Sequence, residues 1–137
     1  MKDKIMKKIL FVCTGNSCRS QMAEGLAKNL GWDAFSAGTK PENEVNPNAV
    51  KAMSEMGLDI SPQYPKLVEE IDLNKMDVIL TVCSNAEENC PVFPGFKGQK
   101  LHHSFDDPAD SIGTEAEKLA VFCRVRDEIK DYLIKNL

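Results

Sequence analysis

The sequence predicts an α/β fold: one open, mostly parallel sheet flanked by helices. Two observations carry this. Short apolar runs alternate along the chain with segments of helical period, which is the pattern of βαβ units. The run Ile9-Leu10-Phe11-Val12 also passes through Cys13-Thr14-Gly15-Asn16-Ser17-Cys18-Arg19-Ser20 into a helix-patterned segment, so a tight polar loop joins a strand to a helix start. Such a loop points consecutive backbone N–H groups at an anion. Ligands of open α/β sheets bind at the carboxyl ends of the strands.

The elements follow in order. Residues 7–12 read as the first strand. Over residues 20–30, Met22, Ala23, Leu26, Ala27 and Leu30 share one helical face, and Gly31 is placed to end it. Residues 32–37 form a weak second strand stopped by Gly38, and residues 41–45 a polar loop. Asn46 and Pro47 open a helix as cap and first residue; Ala49, Ala52, Met53 and Met56 share its face and Gly57 stops it. The methionines read as core filling. Residues 58–65 look extended because Pro62 and Pro65 bar a helix, and residues 66–74 suggest a short one. Residues 76–83 are the clearest strand, nearly all apolar and so buried on both faces. A last strand is expected at residues 100–105, then a turn at Asp106-Asp107-Pro108. Thr114 and Glu117 make a capping box for a final helix whose buried stripe is Leu119, Phe122, Val125, Ile129, Tyr132 and Leu133.

The bulk numbers fit one domain over residues 1–137. The chain has 137 residues, 42% apolar and 28% charged, enough for a full core. A net charge of −4 argues against nucleic acid or an anionic membrane as partner. No stretch approaches transmembrane length, and four apolar residues near the start are too few for an export signal. Five cysteines, an odd number at spacings matching no zinc pattern, fit reactive thiols in a cytoplasmic protein better than a disulfide framework.

The loop carries the chemistry. Five residues between Cys13 and Arg19 let the chain curl until the guanidinium faces the sulfur. A tetrahedral oxyanion fits there, held by Arg19 and by backbone N–H groups, with the thiolate beneath its central atom. Cysteines at helix N-termini near cations ionise more readily than free ones, and Ser20 can add a hydroxyl hydrogen bond to the sulfur. The competing reading is a buried cysteine closing a strand, with Arg19 merely solvated.

Other residues allow two readings each. Cys83 and Cys90 are either a redox pair or two unrelated cysteines. If the segment between them were helical, their separation would be about 10 Å of rise, too far for a disulfide without partial unwinding. Asp107 either protonates a leaving oxygen or caps the Pro108 turn. His102 and His103, adjacent in a strand, point to opposite faces, so they share no metal. Cys18 counts for its backbone, and Cys123 as a small packed residue.

At this point a family resemblance emerges. Cys13-x5-Arg19-Ser20 with a late Asp107-Pro108 resembles the low-molecular-weight protein tyrosine phosphatase fold. The longer blocks residues 13–24, Ser36-Ala37-Gly38, residues 46–50, Cys83, Cys90-Pro91, residues 105–109 and residues 124–129 look like the thioredoxin-coupled arsenate reductases. That resemblance implies reduction of arsenate to arsenite by a relay of three thiols, for arsenic detoxification. The anion, with phosphate or sulfate as analogues, is held by Thr14, Gly15, Asn16, Ser17, Cys18, Arg19 and Ser20. Cys13 is the nucleophile and Asp107 the proton donor. Cys83 and then Cys90 take up the disulfide, and thioredoxin reduces it. The resemblance implies that no bound cofactor is needed; a monomer and a weak phosphatase side activity are expected as well.

Two features depart from that pattern. Members of this type can hold potassium at positions matching Asn16, Glu24 and Ser36 plus an acidic residue, but here the last position is Lys66. Its ammonium is expected to pair with Glu24 and replace the ion. His102-His103-Ser104 also stands where a His-Trp-Gly run is common, at the thioredoxin-facing loop or pocket wall. The alternatives are a phosphotyrosine or phosphomonoester phosphatase using Cys13, Arg19 and Asp107, and a non-catalytic oxyanion-binding module. Against the phosphatase, Pro108 is followed by Ala109-Asp110 rather than by aromatic residues that grip a substrate ring.

Overall fold

The central strand explains the architecture. In a computed structural model, which describes residues 7–83 and 93–137, β1 (Lys8–Cys13) lies between β2 (Asp33–Gly38) and β3 (Val78–Thr81). β4 (Gln99–His102) completes a parallel sheet of order β2-β1-β3-β4. Because β1 is covered on both faces, its apolar run is unbroken, as parallel sheets require. Ile9, Phe11 and Cys13 face the larger core, whereas Leu10 and Val12 face a smaller one with Ala37, Met76 and Ile79.

Three helices frame the larger core. They are α1 (Arg19–Asn29), α2 (Pro47–Ser54) and α3 (Glu115–Asn136). Asn46 caps α2 by accepting from the Asn48 N–H at 2.9 Å, with Pro47 as the first residue. The capping box of α3 is closed both ways: Thr114 Oγ1 accepts from the Glu117 N–H at 3.1 Å, and Glu117 Oε1 from the Thr114 N–H at 2.9 Å. Phe122, Val125, Ile129 and Leu133 are buried along α3, with Leu119 and Tyr132 packed beside them. Gly31 and Gly57 end their helices at φ +96° and +80°, the left-handed region that glycine enters without steric cost.

Several expectations are corrected. Residues 66–74 form no helix but two single 3₁₀ turns, Val68–Glu70 and Leu73–Lys75. Val68, Ile71 and Leu73 each dock on the smaller core, so contact with the sheet, not an internal stripe, shapes this segment. The third strand is shorter than expected and the fourth is shifted toward the N-terminus, leaving His103, Ser104 and Phe105 beyond it. Leu30 is exposed at the end of α1 rather than part of its buried face. Among the described residues no helix is long and apolar enough to cross a membrane.

Candidate active site

β1 delivers Cys13 to the carboxyl edge of the sheet, and α1 begins six residues later with no side chain capping its N-terminus. The carbonyls of the intervening loop all have partners on the outside. Those of Cys13, Thr14, Gly15 and Ser17 accept from the N–H groups of Thr39, Lys40, Glu42 and Asn46, at 3.3, 2.9, 2.9 and 3.0 Å. The Asn16 carbonyl accepts from Gln21 Nε2 at 3.0 Å, and that of Cys18 from the Met22 N–H at 2.9 Å. Since C=O and N–H alternate across each trans peptide, carbonyls drawn outward turn the loop's N–H groups inward. The result is a cradle at the floor of a pocket of about 530 Å³. Residues 42–44, Asn46 and Pro47 line it, together with Asp107 and Ala109.

Cys13 Sγ, nearly inaccessible to solvent, receives two donors. The Asn16 N–H lies at 3.2 Å and Ser20 Oγ at 2.8 Å. Asn16 Nδ2 donates to the same Ser20 oxygen at 2.8 Å, which leaves the hydroxyl hydrogen for the sulfur. Both bonds suit an anionic sulfur.

Arg19 is 2% exposed, and its position is set by the chain just past β3 and β4. Its Nη1 donates to the carbonyls of Val82 and Phe105 at 3.4 and 3.2 Å, and Nη2 lies 3.5 Å from Asp107 Oδ2. Asp107 caps the turn, its Oδ1 accepting from the Ala109 N–H at 3.1 Å, while its Oδ2 is the oxygen turned to Arg19 and the residue lines the pocket. Burial, and then the Asp107 carboxylate, push the Cys18 thiol up to about 12, so it stays protonated although it lines the pocket.

Cys83 is fully buried, its Sγ 3.9 Å from the Val12 carbonyl oxygen. Val12 pairs with Thr81, and the Val82 N–H donates to the Val12 carbonyl, so Cys83 lies one residue past the position level with Cys13. For strands about 4.8 Å apart rising about 3.3 Å per residue, this separates the two Cα atoms by about 6 Å, within disulfide range. Val82 shares the larger core with Cys13, so the pleat turns Cys83 to the opposite face. Cys90 lies outside the described residues.

The residues suggested for potassium do not fit that ion. Glu24 accepts from Ser36 Oγ at 2.6 Å and pairs with Lys28 at 2.7 Å, while Asn16 Oδ1 accepts from the Lys66 N–H at 2.9 Å. The expected Lys66–Glu24 pair is thus corrected. The cation on Glu24 is Lys28, one turn along α1, and the Lys66 ammonium donates to the Tyr64 carbonyl at 2.9 Å. Burial holds Lys66 below its ordinary range, opposed by Glu24. His102 Nδ1 meets Thr81 Oγ1 at 2.7 Å, whereas the His103 ring packs on Phe105 and Tyr132.

Sequence reasoning missed the outer supports of the cradle. Residues 41–45 read only as a polar loop and Asn46 only as a helix cap, because backbone donors leave no side-chain pattern. Gln21 was visible inside the motif but had no assigned partner.

The comparisons agree with this geometry. Residues 8–137 match the family model of the low molecular weight phosphotyrosine protein phosphatases. The chain is 54% identical to an arsenate reductase of Halalkalibacterium halodurans, over 90% of this chain and 89% of that one. It is 51% identical to an arsenate reductase of Bacillus subtilis (strain 168), over 97% and 94%. A solved structure of an arsenate reductase in the phosphate binding state superposes with a TM-score of 0.80 at 33% identity, covering 95% of each chain. The chain belongs to the low molecular weight phosphotyrosine protein phosphatase family.

Proposed function

We propose that the protein is a cytoplasmic, monomeric arsenate reductase working through Cys13, Cys83 and Cys90, with thioredoxin as its reductant. One observation carries the reading: a second buried thiol, Cys83, lies just past β3, one residue beyond the level of Cys13 on the neighbouring strand. A phosphatase needs only the cradle, Arg19 and an acid.

Arsenate sits on the loop N–H groups with two oxygens toward Arg19. The Cys13 thiolate attacks arsenic, and the As–O bond opposite breaks; Asp107 gives its proton so that the oxygen leaves as water. The Cys83 sulfur then attacks Cys13 Sγ. An S–S bond forms, the S–As bond breaks, and its electron pair goes to arsenic, which departs as arsenite while the two sulfurs are oxidised. Because Cys83 rests on the other face of the sheet, this step requires the chain after Val82 to turn. Cys90 attacks Cys83 Sγ, Cys13 leaves as thiolate, and a thioredoxin dithiol reduces the Cys83–Cys90 disulfide by exchange.

The test is arsenate-dependent NADPH consumption with thioredoxin and thioredoxin reductase. The rate is expected to vanish in Cys13→Ser, Cys83→Ser and Cys90→Ser. Slow hydrolysis of para-nitrophenyl phosphate should be lost only in Cys13→Ser. Undiminished arsenate turnover in Cys83→Ser would remove the relay, and hydrolysis of the phosphate ester with no arsenate-dependent NADPH consumption would leave the phosphatase reading.

A further inference from the structure

We infer that Gln21 is a positioning residue for the anion cradle: it fixes the peptide between Asn16 and Ser17 from outside the loop. The inference rests on the cradle being the anion site proposed above.

The argument starts from Asn16. At φ +49° it is the only non-glycine residue with positive φ among the described residues. This left-handed conformation aims its N–H at Cys13 Sγ, and it costs on the order of 1 kcal/mol even for a residue that tolerates it well. Something must hold it. The carbonyls of Cys13, Thr14, Gly15 and Ser17 are drawn outward by backbone N–H groups of residues 39–46, and that of Cys18 by the helix. Among residues 13–18, the Asn16 carbonyl takes its partner from a side chain, Gln21 Nε2 at 3.0 Å. If that bond is lost, the Asn16–Ser17 peptide is free to rotate, which turns the Ser17 N–H away from the anion.

Gln21 is built for this. It is fully buried, and its amide is committed on both ends. Nε2 also donates to the Tyr64 carbonyl at 3.1 Å, so two carbonyl acceptors fix which end of the amide is the NH₂ group. Its Oε1 accepts from Gln63 Nε2 at 2.8 Å, and Gln63 Nε2 reaches the Gln21 backbone carbonyl at 3.0 Å. Lys66, three residues on, gives its N–H to Asn16 Oδ1. Gln63 and Tyr64 thus brace the cradle through Gln21, and Lys66 braces it through the Asn16 side chain, all from outside the pocket lining. Gln21 is absent from the pocket lining, so its effect on binding is indirect.

The experiment measures how inorganic phosphate protects Cys13 from iodoacetamide, read by mass spectrometry, in the wild type, Gln21→Met, Gln63→Met and the double variant. Gln21→Met should raise the half-protecting phosphate concentration about tenfold, the scale set by a buried carbonyl losing its donor. Gln63→Met should raise it a few-fold. The double variant should match Gln21→Met alone, because Gln63 acts through Gln21. For arsenate turnover, KM should rise more than kcat falls. A Gln21→Met protein that melts lower but is protected at the wild-type phosphate concentration overturns the inference, as does strict additivity in the double variant. If Gln21→Met does not fold, an unaltered Gln63→Met has the same force. A wild type that phosphate does not protect would instead sink the anion site itself.

Discussion

Gly38 ends β2 against the back of the cradle, where there is no room for a side chain. A Cβ built on it would lie 2.5 Å from the Thr14 carbonyl oxygen, 3.0 Å from Asn16 Cβ and 3.1 Å from the Asn16 nitrogen. Two of these three are backbone atoms, and the third is fixed to backbone, so none can swing aside. β2 cannot retreat either: Gly38 pairs with Cys13 in register, and its N–H donates to the Lys66 carbonyl at 2.8 Å. Gly38→Ala must therefore displace the loop. Overpacking of this kind costs about 1–3 kcal/mol, which at this chain length lowers Tm by roughly 3–15 °C. The functional cost is larger, since a shift of about 1 Å in a binding loop loses about a hundredfold in rate. Gly25→Ala is the control. Its Cβ would meet Ile60 Cγ2 at 2.6 Å and Met53 Cε at 2.9 Å, both side-chain tips remote from the pocket. The clash there is partly offset by the helix propensity of alanine. Thermal melts and coupled arsenate turnover should show stability loss in both variants but a large kcat/KM loss only in Gly38→Ala. Retention of kcat/KM within threefold in Gly38→Ala would refute the claim that this contact shapes the cradle.

Three further outcomes are expected. Asp107→Asn should lower kcat by about 10²–10⁴-fold while phosphate protects Cys13 at least as well as in the wild type, because the lost group is an acid and an anion facing Arg19; equal losses in binding and kcat would argue against its role. Cys18, held up to about 12 by burial and by Asp107, should escape iodoacetamide at pH 7–9 while Cys13 is labelled. The unfolded Cys18 thiol ionises near 9.0, so between about pH 9 and 12 the unfolded chain sheds a proton that the folded one keeps. Stability should fall as pH rises through that window, less steeply in Cys18→Ala, as alkaline denaturation will show. Melting temperature and activity should match in potassium and tetramethylammonium chloride at equal ionic strength, since Lys28 already pairs with Glu24; a potassium-specific gain of several degrees would contradict this.

The legible parts of this protein are those decided by neighbours in the chain. The strand–loop–helix around Cys13, the Asn46 and Thr114 caps and the glycine stops at 31 and 57 each depend on residues within a few positions, and the structure has them where the sequence placed them. The pairing of cysteines and the partners of the loop depend on which strands become adjacent. Nothing local told that Cys83 would end up one residue past the level of Cys13, or that it would face away. Nor did the sequence show that residues 39–46 would take the loop's carbonyls, or that Lys28 would reach Glu24 before Lys66. Backbone donors carry no residue code, and burial against a sheet overrode the helical look of residues 66–74. Sequence thus wrote the chemistry of the loop. Tertiary packing decided what holds it open and how far a second thiol must travel to reach it.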